Sequence, residues 1–357
     1  MSQHPLDRVP REPHTCIWEL TRICNLRCIH CGSHCGKLSA RELSFEKIQS
    51  TAQALARLGC QHVHVTGGEP LLHPQWDALC SVFSTLGLRV SLITNGTLLD
   101  EERLDRAVNA GVQAIGISID GMQATHDGIR LRPGAGPSPW RLAMDAVERT
   151  TARLETIVIT AVNRRNLAEL SELRQALAEV GVKRWQIQLV IPVGRVLKIP
   201  EPFVIAPADL ERLVAFVAEA RRDGKPPHID TSDTIGYFTE RELRVRGAAD
   251  QPSLWTGCQA GIRAVAITYD GRVRGCSIMP PEFDAGDLHD ESIDTIWNDA
   301  ERFAYSTRFD PTKLAGACGR CKVGPLCRAG CTTMAYWTTG SIYSNPFCLH
   351  RVRGACA

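Results

Sequence analysis

The sequence predicts an α/β fold in which a partial (β/α)6 barrel over residues 15–207 precedes a small cysteine-rich C-terminal domain over residues 258–357. Two observations predict this arrangement. As far as residue 191, short runs rich in β-branched residues alternate with helical patterns, which is typical of parallel βαβ units. From Cys258 onward the helical periodicity fades and cysteines become dense. Residues 1–14 form an N-terminal segment in this scheme, and residues 208–257 bridge the two domains.

The barrel elements follow one another without long interruptions. The predicted strands are Thr15–Thr21, His62–Thr66, Arg89–Thr94, Val112–Ile119, Thr156–Val162 and Arg184–Ile191. Apolar residues at helical spacing, with capping residues and terminal glycines, predict helices that begin near Ser44, Pro74, Glu101, Pro139 and Asn166. Six strands are two fewer than a closed TIM-like barrel has, so we expect an open barrel whose ligands bind at the carboxyl ends of the strands.

Beyond the barrel the patterns are weaker. Helix Ala208–Arg222 follows a proline-rich loop, and the chain is then irregular as far as the cysteine-rich domain. Asp270-Gly271 separates Ala264–Tyr269 from Arg272–Cys276, which predicts a β-hairpin closed by a type I′ turn, because Asp-Gly readily adopts the positive φ angles of that turn. A short helix is predicted near Ile293–Ala300.

Composition excludes several classes of protein. The chain of 357 residues is 44% hydrophobic and has a formal net charge of +2, so it can bury a large core and shows no basic excess for nucleic acid. No apolar run approaches the ~18 residues that span a bilayer. Residues 1–14 are polar and contain proline, unlike a signal peptide. We therefore expect a cytoplasmic protein with neither a nucleic-acid nor a membrane partner.

Cysteine usage indicates metal binding rather than disulfide bonding. The chain has 15 cysteines, an odd number, and cytosolic thiols are kept reduced. Ten of the 15 fall into two groups, Cys24 to Cys31 and Cys258 to Cys348. The others are Cys16, Cys35, Cys60, Cys80 and Cys356. Of these, Cys60 and Cys80 suit packing as small hydrophobes, whereas Cys35 and Cys356 are open to roles as minor ligands or redox-sensitive thiols.

The first group has the spacing C-x3-C-x2-C on one short loop. Thiolates favour zinc or iron–sulfur clusters over hard cations. A structural zinc site uses four protein ligands, so three cysteines leave one position for exogenous chemistry. The alternative is a zinc knuckle whose fourth ligand is His30, His34 or Cys35.

The loop resembles the signature of the radical S-adenosylmethionine (SAM) superfamily and reads Cys24-Asn25-Leu26-Arg27-Cys28-Ile29-His30-Cys31, with His30 at the position that is usually aromatic. The resemblance implies that Cys24, Cys28 and Cys31 hold a [4Fe–4S] cluster and that SAM binds its unique iron, with His30 beside this cofactor. It further implies reductive cleavage of SAM to a 5′-deoxyadenosyl radical, which abstracts hydrogen from a substrate. The expected electron donor is a flavodoxin or a ferredoxin.

Later strand ends carry segments similar to the SAM-binding motifs of that superfamily. Gly67-Gly68-Glu69-Pro70 follows the second strand, and the resemblance implies that Glu69 binds the amino group of SAM. Asn95 resembles a ribose-contacting residue, and Ser118 and Asp120 resemble residues that bind the ribose hydroxyls or the carboxylate. Arg130 resembles an arginine that pairs with the carboxylate of SAM. The structural alternatives are turn capping by Asn95 and Asp120 and a surface salt bridge of Arg130.

The second cysteine group resembles the SPASM domain, an extension of radical SAM enzymes that modify peptides and proteins. Its seven cysteines are Cys258, Cys276, Cys318, Cys321, Cys327, Cys331 and Cys348. The resemblance implies two auxiliary iron–sulfur clusters, with the distal one on Cys318, Cys321, Cys327 and Cys348 and the nearer one on Cys258, Cys276 and Cys331. Relatives carry a further cysteine shortly after the position of Cys258, and none occurs here before Cys276. The nearer cluster is therefore expected to have an open iron, a non-cysteine ligand or fewer irons. A pair of structural zinc sites is the alternative.

The domain pair implies a peptide maturase as the leading function, which abstracts hydrogen from a residue of a ribosomally made peptide or protein and leaves a crosslink or an oxidised side chain. The alternatives are action on a small metabolite such as a tetrapyrrole side chain, a sulfatase maturase, and a non-catalytic multi-zinc protein. Sulfatase maturases carry an acidic base directly after the cysteine that matches Cys276, and Ser277 stands there instead.

Substrate contacts are expected in the segment Pro192–Trp255, together with Gln186, Gln188, Arg195 and Tyr237, although a structural linker is the alternative for much of it. About fifteen residues precede the first strand, too few for a leader-binding domain. A leader-bearing peptide would therefore need either a separate leader-binding protein as partner or another surface of this chain. The patterns identify no catalytic base.

Overall fold

The computed structural model describes residues 4–36, 41–199, 201–248 and 251–354, so the predicted domain limits at residues 1 and 357, and Cys356, lie outside the described residues. The strands are β1 (Thr15–Glu19), β2 (His62–Thr66), β3 (Arg89–Thr94), β4 (Val112–Ser118), β5 (Glu155–Val162), β6 (Arg184–Leu189), β7 (His228–Thr231), β8 (Gly247–Ala248), β9 (Gln251–Pro252), β10 (Ala264–Ile267), β11 (Arg272–Arg274) and β12 (Gly286–Asp287). The α-helices are α1 (Phe45–Arg57), α2 (Trp76–Thr85), α3 (Glu101–Asn109), α4 (Gln123–Ile129), α5 (Pro139–Thr151), α6 (Leu170–Glu179), α7 (Leu210–Arg222), α8 (Glu242–Val245), α9 (Ile293–Asn298), α10 (Ala304–Thr307), α11 (Gly316–Arg320), α12 (Gly324–Cys327), α13 (Thr332–Thr339) and α14 (Leu349–Val352).

Strands β1 to β6 form a parallel sheet in which each strand pairs with the next in chain order. Helices α1, α2, α3, α5 and α6 lie between them in the chain, and their ends agree with the predicted helices to within about one turn. The predicted α/β fold, a partial barrel followed by a cysteine-rich domain, is confirmed. A short helix that the sequence analysis did not predict, α4, lies between β4 and α5.

The sheet extends past the six predicted strands at both edges. β7 pairs in parallel with β6, where the sequence analysis expected irregular chain. Its residues His-Ile-Asp-Thr carry too little apolar alternation to be recognised as a strand. At the other edge β10 pairs in parallel with β1, and β11 and β12 follow in antiparallel pairing. The cysteine-rich domain therefore shares the sheet of the barrel.

The predicted hairpin of β10 and β11 is present, but its turn differs from the prediction. Gly271 has φ +84°, whereas Asp270 is not one of the described non-glycine residues with positive φ. The Gly271 N–H donates to the carbonyl of Thr268 (2.9 Å), and the Thr268 N–H donates to that of Arg272 (2.9 Å). A type I turn followed by a left-handed glycine therefore replaces the type I′ turn.

The main core lies between the sheet and the helices that cover it. Ile48, Ala52 and Leu55 form the buried stripe of α1. Trp18 of β1 packs against Phe83 of α2 with ring centroids 5.3 Å apart, and both rings are inaccessible to water. Within the described ranges, each helix is too short or too polar to cross a lipid bilayer.

A buried chain of hydrogen bonds ties the ends of three strands together. The Thr160 hydroxyl on β5 donates to the carbonyl of Ile119 (2.6 Å), and the indole N–H of Trp185 on β6 donates to Thr160 Oγ1 (2.8 Å). All three residues are fully buried, so neither partner can turn to water if the hydroxyl is removed.

We expect Thr160→Val, which preserves the shape of the side chain, to lower the free energy of unfolding by about 1–3 kcal/mol, because it leaves a buried N–H and a buried carbonyl without their partner. Thr151→Val is the matched control, since the Thr151 hydroxyl bonds only the carbonyl of Glu148 near the surface of α5, and we expect a change within about 0.5 kcal/mol. Anaerobic urea unfolding measures both. Equal losses in the two variants would contradict a structural role for the buried bonds.

Candidate active site and metal centres

The cysteine loop leaves the carboxyl end of β1 and has no regular secondary structure of its own. Its first residues lie against the end of β2, where the Gly68 N–H donates to the carbonyl of Thr21 (2.7 Å) and the Glu69 N–H donates to that of Ile23 (2.7 Å). A Cβ at Gly67 would lie 2.6 Å from Thr21 O, and one at Gly68 would collide with Ile23 O. The two glycines are therefore needed for the close approach of two backbones.

The middle of the loop is held by the segment that follows α4. The Arg27 N–H donates to the carbonyl of Leu131 (2.7 Å), and the Ile29 N–H donates to that of Ile129 (2.9 Å). These two bonds hold the backbone between the cysteines against the end of α4, which follows the end of β4.

Arg195 closes the loop from the side of β6. Its backbone N–H donates to the carbonyl of Cys31 (3.1 Å), and its guanidinium donates to the carbonyls of Cys28 (3.1 Å) and Cys35. The sequence analysis expected Arg195 to contact substrate. In the structure, these donors of Arg195 instead form hydrogen bonds to carbonyls of the cysteine loop.

The three predicted cluster ligands border one cavity at the carboxyl ends of the strands. Most residues predicted to bind SAM or to lie beside it share its wall, namely His30, Gly67, Gly68, Asn95, Ser118 and Arg130. The carboxylates of Glu69 and Asp120 are different, because both side chains are fully buried behind this wall.

The thiols of the loop fit an iron–sulfur cluster. Burial raises the pKa of Cys24 to about 12 and also raises that of Cys28, while a hydrogen bond from the Cys35 thiol lowers the pKa of Cys31. Because sulfur binds metal as thiolate, cationic iron would favour the deprotonated form of all three. Among the described residues, no three His, Cys, Asp or Glu side chains are close enough to hold a single metal ion. Three thiolates suit an iron–sulfur cluster with one open iron, since a structural zinc site uses four protein ligands.

The carboxylate of Glu69 accepts hydrogen bonds from within the protein. Its Oε1 accepts hydrogen bonds from the Thr94 hydroxyl (2.7 Å) and the Leu71 N–H (3.2 Å), and its Oε2 accepts one from the Asn95 N–H (2.9 Å). Burial raises the pKa of this carboxyl. Glu69 thereby positions Asn95 at the cavity wall, and a direct contact of Glu69 with the amino group of SAM stays a prediction.

Asp120 is the centre of a buried charged group. Its Oδ2 accepts a hydrogen bond from Arg130 Nε (2.7 Å), and its Oδ1 accepts one from the Ala161 N–H (2.8 Å). His30 Nε2 lies 3.2 Å from Oδ2. Burial by itself would raise the pKa of Asp120. The charge of Arg130, together with His30, His126 and the Ala161 N–H, outweighs burial, so the pKa is lowered. Burial also lowers the pKa of His30 to about 4, so its ring is neutral at pH 7.

This group faces the cysteine loop. Arg130 Nη1 lies 4.0 Å from Cys28 Sγ, and the side chain of Arg130 is only 12% exposed. The alternative interpretation of Arg130 as a surface salt bridge is therefore wrong. Contacts of Asp120 and Arg130 with SAM stay predictions, since Asp120 is engaged by the protein on both oxygens.

The C-terminal cysteines form two separate groups. Cys258 and Cys276 are electrostatic neighbours of Cys331, whose pKa is raised by burial first and by these two thiols next. Burial raises the pKa of Cys258, and hydrogen bonding by Thr332 partly offsets this rise. The other group lines a second cavity with Cys318, Cys321, Cys327 and Cys348. These groups have the membership predicted for the nearer and distal auxiliary clusters, and the ligand roles themselves stay predictions.

Tyr237 joins the bridging region to both groups. Its hydroxyl donates to the carbonyl of Asp233 (2.7 Å) and accepts a hydrogen bond from the Cys331 N–H (2.9 Å), and its ring lies in the wall of the distal cavity. The sequence analysis expected Tyr237 to contact substrate. Its buried position instead gives it a structural role beside the cysteines.

A larger cavity of about 550 Å³ lies between the cysteine loop and the β10–β11 hairpin. Its wall contains Ser33, two residues after Cys31, and Ser277, directly after Cys276. The volume is in the range of small-molecule sites, which is about 300–1,000 Å³. The cavity, named here the central cavity, therefore offers a place for a substrate between the first cysteine group and the nearer auxiliary group.

Glu19 in the wall of the central cavity is a functional candidate that motif analysis missed. It is buried, and its Oε1 accepts a hydrogen bond from the Ser33 hydroxyl (2.9 Å). Burial raises its pKa to about 7, so it can hold or release a proton near neutral pH. One signal was available, because Glu19 ends the strand from which the cysteine loop departs.

Two family models match the chain, the radical SAM superfamily over residues 18–177 and an iron–sulfur cluster-binding domain, SPASM, over residues 258–322. The AdoMet-dependent heme synthase of Methanosarcina barkeri (strain Fusaro / DSM 804) is 31% identical over 95% of this chain and 97% of that protein. The chain belongs to the radical SAM superfamily. Its two domains imply a [4Fe–4S] cluster with SAM and auxiliary iron–sulfur clusters, as predicted.

A protein named as a maturase and a solved structure are also similar to this radical SAM chain. The mycofactocin maturase MftC of Mycobacterium ulcerans (strain Agy99) is 29% identical over 94% of this chain and 86% of that protein. The crystal structure of Streptococcus suis SuiB bound to S-adenosylmethionine matches with a TM-score of 0.75 and 15% identity, covering 95% of this chain and 77% of that one. At this identity the likeness shows the fold alone. The chain is a radical SAM iron–sulfur enzyme, and the expectation of a peptide substrate is not confirmed.

We expect Gly68→Ala to prevent the cysteine loop from docking on the end of β2, because its Cβ would collide with a backbone carbonyl. The purified, anaerobically reconstituted variant should lack about four irons per chain, the content of one [4Fe–4S] cluster. Gly128→Ala is the matched control, since a Cβ there meets no atom within 4 Å. Iron and sulfide analysis checks both variants, and full iron content in Gly68→Ala would contradict the role given to this contact.

Proposed function

We propose that this radical SAM enzyme acts on a tetrapyrrole, abstracts hydrogen from one of its side chains, and belongs with the AdoMet-dependent heme synthases. The observation that carries the proposal is the 31% identity to such a synthase over nearly the whole length of both chains. The first interpretation, a peptide maturase, has weaker support, because the likeness to SuiB is one of fold and the identity to MftC is lower. The metabolite alternative is therefore preferred.

In this proposal Cys24, Cys28 and Cys31 hold the cluster that binds SAM, and the two C-terminal groups hold the auxiliary clusters. When bound, the first cluster and SAM supply the 5′-deoxyadenosyl radical that removes hydrogen from substrate. The contribution of the protein is position and exclusion of water. Arg195 and the glycine pair fix the loop, while the buried pair of Asp120 and Arg130 lies behind it.

The central cavity suits a flat ring with carboxylate side chains. Tyr269 and Trp337 supply aromatic surface, and the indole N–H of Trp337 donates to the carbonyl of Ile278 (2.8 Å), which fixes the ring. Arg22 and Lys198 add positive charge to the wall. Tetrapyrroles on the way to haem are flat macrocycles with carboxylate side chains, so shape and charge both support this substrate class.

The protein reconstituted anaerobically with iron and sulfide should convert iron coproporphyrin in the presence of SAM and dithionite, where dithionite replaces the expected flavodoxin or ferredoxin. We expect 5′-deoxyadenosine and a lighter tetrapyrrole in a fixed ratio by chromatography and mass spectrometry. Cys28→Ala should give neither product. If deoxyadenosine formed with a precursor peptide that became crosslinked, and never with the tetrapyrrole, the peptide maturase would be the correct function.

Lys198→Gln tests the charge of the cavity wall. Because Lys198 is exposed at the mouth, we expect KM for a carboxylate-bearing tetrapyrrole to rise about two- to fivefold, corresponding to about 0.4–1 kcal/mol, with little change in kcat. Lys183→Gln is the matched control, since Lys183 is equally exposed but lines a different cavity. Equal KM values in the two variants would contradict the assignment of the central cavity as the substrate site.

A further inference from the structure

Tyr305 on α10 carries a polar group that the site described so far leaves unexplained. Its hydroxyl is buried, and no described residue accepts a hydrogen bond from it. The ring is fixed by edge-to-face packing on Phe283, with centroids 5.2 Å apart. Buried polar groups are nearly always paired, so an orphaned hydroxyl in a well-packed position points to a partner that is not part of the protein.

Gly275 leaves the space that the Tyr305 hydroxyl occupies. A Cβ at Gly275 would collide with the Tyr305 hydroxyl, and that same Cβ would lie 2.6 Å from the backbone nitrogen of Gly261. The hydroxyl is therefore inserted between the segment before Cys276 and the segment after Cys258. Any side chain at position 275 would exclude it.

The partner lies on the side of the nearer cysteine group. The thiols of Cys258 and Cys276 are the electrostatic neighbours of the Tyr305 hydroxyl, because after burial they are the next causes that raise its pKa, while a hydrogen bond from the Gly275 N–H lowers it. That N–H can donate to the phenol oxygen but cannot accept its proton, so the hydroxyl is available as a donor.

We propose that Tyr305 donates a hydrogen bond to the iron–sulfur group held by Cys258, Cys276 and Cys331 and raises its reduction potential. The proposal rests on the ligand set assigned under the proposed function. Hydrogen bonds to cluster sulfurs stabilise the more negative, reduced state, which is one of the ways in which proteins set cluster potentials. Tyr305 is thus a positioning residue for the nearer auxiliary cluster. In this role it stays protonated and does not itself bind iron as the fourth ligand.

The test is an EPR-monitored redox titration of the full chain in a background that carries Cys24→Ala, Cys28→Ala and Cys31→Ala, so that only auxiliary clusters give signals. Adding Cys276→Ala to this background should abolish one signal and thereby identify the nearer cluster. Adding Tyr305→Phe should leave the iron content unchanged and shift the reduction equilibrium of that cluster at least tenfold toward the oxidised form, which is 59 mV for one electron. The distal signal should not move.

Tyr336→Phe is the matched control. Tyr336 packs edge-to-face on the same Phe283 with centroids 5.1 Å apart, but its hydroxyl bonds Glu282 at the surface. Unchanged potentials in Tyr305→Phe, or a tyrosinate-to-iron charge-transfer band in the parent that disappears in this variant, would overturn the proposal.

These measurements need no tetrapyrrole, so their outcome is separate from that of the proposed function. If Cys276→Ala left both auxiliary signals intact, the assigned ligand set would be wrong and the donor role of Tyr305 would be overturned with it.

Discussion

The site depends on a cysteine loop that has no regular structure and is held by backbone hydrogen bonds from neighbouring strand ends. Three thiols can meet one cluster only if the backbone between them is fixed, and the loop has no helical or strand ladder to do this. The ends of β2, α4 and β6 each supply part of the missing support. Since parallel strands bring their carboxyl ends to one edge, the barrel topology gives the loop its anchors.

The same constraint explains why two predicted ligand residues turned out to be engaged within the protein. Glu69 and Asp120 are fully buried carboxylates, and a buried charge is tolerated only when it is paired and hydrogen-bonded. Glu69 is satisfied by three protein donors, and Asp120 by Arg130 and the Ala161 N–H, with His30 beside it. The wall of the cavity therefore contains not the two carboxylates but residues bonded to them, Asn95 beside Glu69 and Arg130 beside Asp120.

Periodicity predicted the six barrel strands, because it depends on local sequence, and the resemblance to the SPASM domain implied how the C-terminal cysteines group. The sequence analysis missed what depends on packing between distant segments. β7 has only four residues and gains its strand character from β6. Arg195 and Tyr237 were recognised as residues near the site but not by role, because their partners are the carbonyls of Cys28 and Cys35 and the N–H of Cys331. The orphaned hydroxyl of Tyr305 has no sequence signature.

The pairing of β10 with β1 determines how the cysteine loop and the hairpin that leads to Cys276 lie relative to each other. Trp18 lies opposite Ile267, so the strand ends that follow, Glu19 and Thr268, emerge side by side at the same edge of the sheet. The cysteine loop departs from one of these ends and the hairpin that leads to Cys276 departs from the other. The central cavity is the space between these two segments, and residues of both segments lie in its wall. A substrate bound there would be close to the first cluster on one side and to the nearer auxiliary cluster on the other, because two adjacent strands of one sheet hold both segments.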